Sequence, residues 1–71
     1  MKELIANNLK KYRQRAGLRQ ADVAKLLNLQ CEDRLSHWER GRAMPSAINL
    51  MKLCKVYGVR VEDIYDENPK S

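Results

Sequence analysis

Apolar residues recur along the chain at intervals of three and four without sustained alternation, a period that predicts helices throughout. Ile5, Leu9, Tyr12 and Ala16 form one stripe and predict a first helix over 3–16, stopped at Gly17, with Leu18 folding back onto it. A second helix is expected over Gln20–Leu27, with Val23, Ala24 and Leu27 inward and Asp22 near its start, where a negative charge suits the helix dipole. Asn28, Leu29 and Gln30 make a turn, and Leu29 plugs the gap between two helices. The third helix spans Cys31–Arg40, with Cys31, Leu35 and Trp38 on its apolar edge and Gly41 at its end. Pro45 and Ser46 open the fourth helix, with Ser46 as N-cap, Ala47, Leu50, Leu53, Cys54 and Tyr57 inward, and Gly58 as the stop. Val59 anchors the next turn and Val61–Tyr65 is a short fifth helix. Residues 67–71 lack an apolar pattern and read as a flexible tail on one domain spanning 1–66.

The polar side of the third helix is unusually rich in groups that can recognise something. Glu32, Asp33, Arg34, Ser36 and His37 lie off its apolar edge, and each can donate or accept hydrogen bonds. At base edges, Arg34 offers a two-pronged contact to guanine, His37 can donate or accept, and Glu32 or Asp33 can accept from the cytosine amino group. Each has a plainer role open to it. Arg34 also fits a phosphate or an ion pair with Glu32, His37 a solvated position, and the two carboxylates the positive end of the helix dipole. Arg19, at the second helix's cap position, has no short oxygen to accept the first amide hydrogens, which leaves them for a phosphate beside Arg19 and Gln20. With Arg40 and Arg42 in the loop after the third helix, these residues make a set of phosphate clamps that fix register without reading sequence.

Charge sharpens this picture. The formal charge is +5 and the pI about 9.5. Residues 1–59 carry twelve Lys/Arg against five Asp/Glu, a net of +7, whereas residues 60–71 carry two against four, a net of −2. A basic body with an acidic end suits a polyanion contacting one part of the surface. With 71 residues the chain encloses a single core, which supplies about 3–5 kcal/mol, so DNA or a partner subunit would add to its stability.

Other chemistry is sparse. Cys31 and Cys54 are too few for a disulfide framework and read as small buried residues in a reducing cytosol. One His and two Cys match no zinc pattern, so no metal or cofactor is expected. There is no glycine-rich phosphate loop, and Cys31 or Ser36 beside His37 lacks an orienting partner, so an enzyme is not expected. No apolar run approaches the ~20 residues of a membrane span, and the N-terminus lacks a signal peptide's apolar core, so a cytoplasmic protein is expected.

Leu9 with Arg13, Gly17-Leu18-Arg19-Gln20, Val23-Ala24, Leu27, Leu35-Ser36, Trp38-Glu39, Gly41, Pro45-Ser46, Leu50, Leu53, Gly58-Val59 and Ile64 form an ordered set over residues 4–65. That set resembles the lambda-repressor, Cro and Xre-like helix-turn-helix family. The resemblance implies an all-α, compact five-helix domain in which helices two and three form the helix-turn-helix. It implies a repressor-like, sequence-specific regulator of double-stranded DNA, acting as a homodimer on a two-fold operator with helix three in the major groove and half-sites about 34 Å apart. It further implies an ion pair between Arg13 and Glu39 inside the domain. Met51, Val61 and Tyr65 are the expected dimer patch; Met44 and Met51 otherwise fill gaps in the core.

The sequence departs from the family in its turn. Asn28 stands where the family usually has glycine, and the interval from Asn28 to Trp38 is one residue longer than usual, leaving Gln30, Cys31 and Asp33 as candidate N-caps of helix three. The alternative reading is a protein-interaction module or antitoxin-like partner that keeps the fold with weak or no specific DNA binding, a reading that Glu32 and Asp33 favour.

Overall fold

The computed structural model describes residues 4–65, and the expected tail lies outside them. Among the described residues the chain forms five α-helices and no strand: α1 (Leu9–Arg15), α2 (Gln20–Leu26), α3 (Asp33–Glu39), α4 (Ala47–Tyr57) and α5 (Val61–Ile64). The all-helical architecture follows the three-and-four spacing of the apolar residues. Leu9, Val23, Leu27, Leu35, Trp38, Leu53 and Ile64, drawn from every helix or its cap, form one buried cluster, with Tyr12, Leu18, Leu29, Leu50, Cys54 and Tyr57 packed around it. None of these helices exceeds eleven residues, too short to be stable alone in water, so this shared core holds them.

The first four helices end alike. A residue in the left-handed region follows each one: Gly17, Asn28, Gly41 and Gly58. The next residue turns its amide back five positions, Leu18 to Arg13 O at 3.1 Å, Leu29 to Ala24 O at 2.8 Å, Arg42 to His37 O at 2.9 Å and Val59 to Cys54 O at 3.0 Å. This closure satisfies carbonyls the helix leaves open and brings the chain back over its own last turn. Asn28 manages it at φ 60° because asparagine tolerates that conformation better than most residues with a side chain.

Helix starts differ more from expectation. The first helix begins at Leu9 instead of residue 3, and Ile5, 37% exposed, and exposed Ala16 lie outside its stripe. Two asparagines account for this, because their amides bond backbone groups that a helix would otherwise use. Asn7 Oδ1 accepts from Leu9 N at 3.0 Å, and Asn7 Nδ2 donates to Ile5 O and Trp38 O, each at 3.0 Å. Asn8 N donates to Ile64 O at 2.8 Å, and Asn8 Nδ2 to Asp63 O at 2.8 Å.

The third helix begins at Asp33 with Glu32 at the cap position, so none of the three expected caps occupies it. Glu32 already has helical backbone angles and makes no side-chain cap bond. The extra residue therefore lengthens the turn, and Cys31 is left exposed in it, neither buried nor on the helix edge. Cys54 is half-buried. At α4, Ser46 Oγ accepts from Asn49 N at 3.2 Å as an N-cap should. Ala47 is exposed rather than inward, and the preceding Pro45 is buried in its place.

Candidate nucleic-acid interface

Helix α3 presents two faces of different character. Leu35 and Trp38, 0% and 4% exposed, anchor it in the core, so Trp38 is a packing residue and not a stacking platform. Asp33, Arg34 and His37 are exposed, Asp33 and His37 on the side turned away from that anchor and Arg34 at its flank, one turn before Trp38; Arg40, three residues beyond His37, extends the same surface. Ser36 is half-buried at its edge, and Glu32 is exposed just before it. Arg42 is exposed in the loop beyond. The expected reading residues thus share one surface, with basic residues at its exit.

Beneath α3 lies a network that fixes its angle. Arg13 Nε donates to Glu39 Oε2 at 2.7 Å and Arg13 Nη2 to Glu39 Oε1 at 3.2 Å, with the two side chains 10% and 4% exposed. Arg13 Nη1 donates to Leu18 O at 3.0 Å, so one guanidinium ties α1, the loop after it and α3. Hydrogen bonding to Glu39 raises the Arg13 pKa further, against the opposing cost of burial. Gln20, at the first position of α2, donates from Nε2 to Glu39 Oε1 at 3.0 Å, which links α2 into the same cluster. The Tyr57 hydroxyl is buried nearby without a hydrogen-bond partner among the described residues. Burial, reinforced by the Glu39 charge, pushes its pKa up to about 12.

The start of α2 carries a different arrangement. No side chain caps its first amides, as Arg19 at the cap position implies. Instead Asp22 Oδ2 accepts from the Arg19 backbone N at 2.9 Å and from Arg19 Nε at 3.3 Å. The backbone bond, then the side-chain bond, holds the Asp22 carboxyl below its usual range. Arg19 remains largely exposed, its side chain 84% accessible, so the guanidinium can still swing to an outside anion. Arg60 and Asp63 repeat the Arg-x-x-Asp pattern at α5, where Arg60 N donates to Asp63 Oδ2 at 3.0 Å.

A cleft adjoins this site, and a separate apolar patch lies on α4 and α5. An open cleft of about 430 Å³, lined by Asn28, Leu29, Gln30, Cys31 and Arg34, forms at the lengthened turn. On the side of α4 away from the core, Met51 is 60% and Ile48 66% exposed; Val61 is 43% exposed and Tyr65 half-buried. Met44 is 53% exposed, so neither it nor Met51 fills a core gap. Ile48 escaped the sequence reading, although its place three residues before Met51 puts both on one helix face. Asn7 and Asn8 escaped it too, since nothing local in a sequence shows a side chain bonding a backbone group tens of residues away.

Among the described residues no helix is long and apolar enough to cross a membrane, and no cluster of His, Cys, Asp and Glu could hold a metal. No curated protein sequence matches the chain. The helix-turn-helix family profile matches residues 9–64, from the first residue of α1 to the last of α5. The chain therefore belongs to the Cro/C1-type helix-turn-helix family of DNA-binding regulators, the lambda-repressor and Xre-like group.

Proposed function

We propose that the chain is a sequence-specific, repressor-like regulator that binds double-stranded DNA as a homodimer, with α3 in the major groove. The observation that carries this is the exposed face of Asp33, Arg34 and His37, held at a fixed angle by the Arg13–Glu39–Gln20 cluster. Arg34 and His37 read base edges, with Ser36 and the Glu32 and Asp33 carboxylates completing the set. Arg19, Gln20, Arg40 and Arg42 hold phosphates. Gln20 also bonds Glu39, so in this reading it links the phosphate contact to the scaffold. One subunit spans too few base pairs to be selective in a genome, and two-fold pairing through Met51, Val61 and Tyr65 doubles the site. Such a protein acts where the chromosome is, in the cytoplasm of a prokaryotic host.

Selection from random duplex DNA tests the reading. It should yield a two-fold sequence with half-site centres about 34 Å apart. About four phosphate contacts per subunit give a log–log salt slope near −7 for the dimer. A second reading, a protein-binding module, draws on Glu32 and Asp33, exposed and without an ion-pair partner among the described residues. It requires that selection enrich no sequence and that the protein's DNA binding vanish by physiological salt.

A further inference from the structure

Residues 4–8, the segment that replaces the expected first turns of α1, run between the exit of α3 and α5. On the α3 side, Ile5 N donates to Gly41 O at 2.9 Å and Asn7 Nδ2 donates to Trp38 O at 3.0 Å. The Trp38 carbonyl also accepts from Gly41 N at 3.0 Å, so Asn7 reinforces the bond that closes the helix end. The other end of the Asn7 side chain accepts from Leu9 N, the first residue of α1. One amide group therefore spans the start of α1 and the end of α3. The backbones approach so closely that a Cβ placed on Gly41 would lie 2.7 Å from Ile5 N. Arg40 and Arg42 flank this clasped glycine on the exposed side.

We propose that Asn7 and the Ile5 amide are positioning residues for DNA reading: they clamp the α3 exit so that His37 and the Arg40–Arg42 loop meet the duplex in one register. The inference rests on the DNA-binding reading above. Neither group touches DNA. A loop pinned at two points loses less conformational freedom on binding, and a fixed loop also penalises a duplex on which the bases do not match. Free to move, the same arginines would still hold phosphates, but on any sequence.

The two ends of the Asn7 amide allow a selective test. Asn7→Asp keeps the oxygen that accepts from Leu9 N and replaces the donor to Trp38 O and Ile5 O with a carboxylate oxygen that both carbonyls repel. Gln14→Glu, on the exposed side of α1, adds the same charge and serves as its control. Ile5→Pro adds no charge and deletes the N–H that Gly41 O accepts; it carries the test if Asn7→Asp fails to fold. Two quantities are read: amide exchange of Gly41 and Arg42 in the free protein, and the ratio of affinities for a selected and a scrambled duplex. Loss of these bonds should speed exchange and lower the ratio, each by about tenfold, while scrambled-DNA binding matches the Gln14→Glu control for Asn7→Asp and wild type for Ile5→Pro. Unchanged exchange, or faster exchange with the ratio intact, overturns the proposal. A wild-type protein that itself shows no preference would instead overturn the DNA-reading assignment.

Discussion

Arg13 and Glu39, twenty-six positions apart, meet through two parallel hydrogen bonds of 2.7 and 3.2 Å in a nearly dry environment. The pair sets where α3 sits relative to α1, and it is extended by one bond on each side, from the guanidinium to the Leu18 carbonyl and from Gln20 to the carboxylate. Removing one partner strands the other charge. Arg13→Ala or Glu39→Ala should each cost about 3–5 kcal/mol, close to the whole stability of a domain this small. Circular dichroism should therefore find each variant largely unfolded without denaturant, while a well-packed apolar pair at both positions recovers much of that loss.

Tyr57 gives the fold an alkaline limit. Its pKa is raised to about 12 in the folded chain, against about 10 when unfolded. A raised pKa means that the neutral hydroxyl is favoured by folding, so its contribution is whole below pH ~10 and is lost as pH climbs to ~12, about 2–3 kcal/mol in all. Tyr65, whose pKa burial also raises, adds in the same direction. Tyr57→Phe should remove the larger part of this decline. Because the hydroxyl has no partner among the described residues, the change should be neutral or stabilising at pH 7.

Two glycines in the same backbone conformation should respond differently to alanine. Gly17 has φ +75° and nothing within 4 Å of where an alanine methyl would sit, whereas Gly41 has φ +77° and the Ile5 backbone in the way. Gly17→Ala should cost about 1 kcal/mol of backbone strain. Gly41→Ala adds a steric clash for a total of about 2–4 kcal/mol. Melting curves of the two variants decide whether the 4–8 segment is as tightly seated as the distances imply.

How much of this was legible in the sequence depended on the reach of each interaction. The periodic stripes located α2 and α4 because their inner faces are filled by residues three and four apart, whereas α5 was readable only as a short segment after Gly58 and Val59, with Ile64 alone fully buried. Helix ends were readable from Gly17, Gly41 and Gly58, and at Asn28 from asparagine's tolerance of positive φ. The start of α1 was not, since Asn7 and Asn8 leave the helix to bond Trp38, Asp63 and Ile64, partners that no local pattern reveals. Cys31 was misplaced for a related reason. A one-residue insertion moves the helix start, and with it the face each residue occupies. At the candidate site, the shared exposed surface of Asp33, Arg34 and His37 follows from helical spacing, whereas the bond of Gln20 to Glu39 needed the fold.

If Met51 and Val61 form the subunit contact, Ile48 extends it. A Met51→Glu change should leave the isolated fold near its original stability, because the side chain is 60% exposed. It should weaken binding to a full two-fold site by about a hundredfold yet leave single half-site binding nearly unchanged, as loss of the second linked contact demands. Sedimentation of protein with half-site and full-site duplexes distinguishes these cases.

The most direct test of the central assignment is a titration at physiological salt of wild type, His37→Ala, Arg34→Ala and Arg42→Ala against a selected duplex, single-base variants and a scrambled duplex. The account predicts at least ~10³-fold preference for the selected site. His37→Ala and Arg34→Ala should each lose discrimination at particular bases, about 1–3 kcal/mol apiece, while Arg42→Ala weakens all duplexes alike. Equal affinity of the wild type for selected and scrambled DNA, or losses from His37→Ala and Arg34→Ala that ignore sequence, would contradict α3 as the reading element.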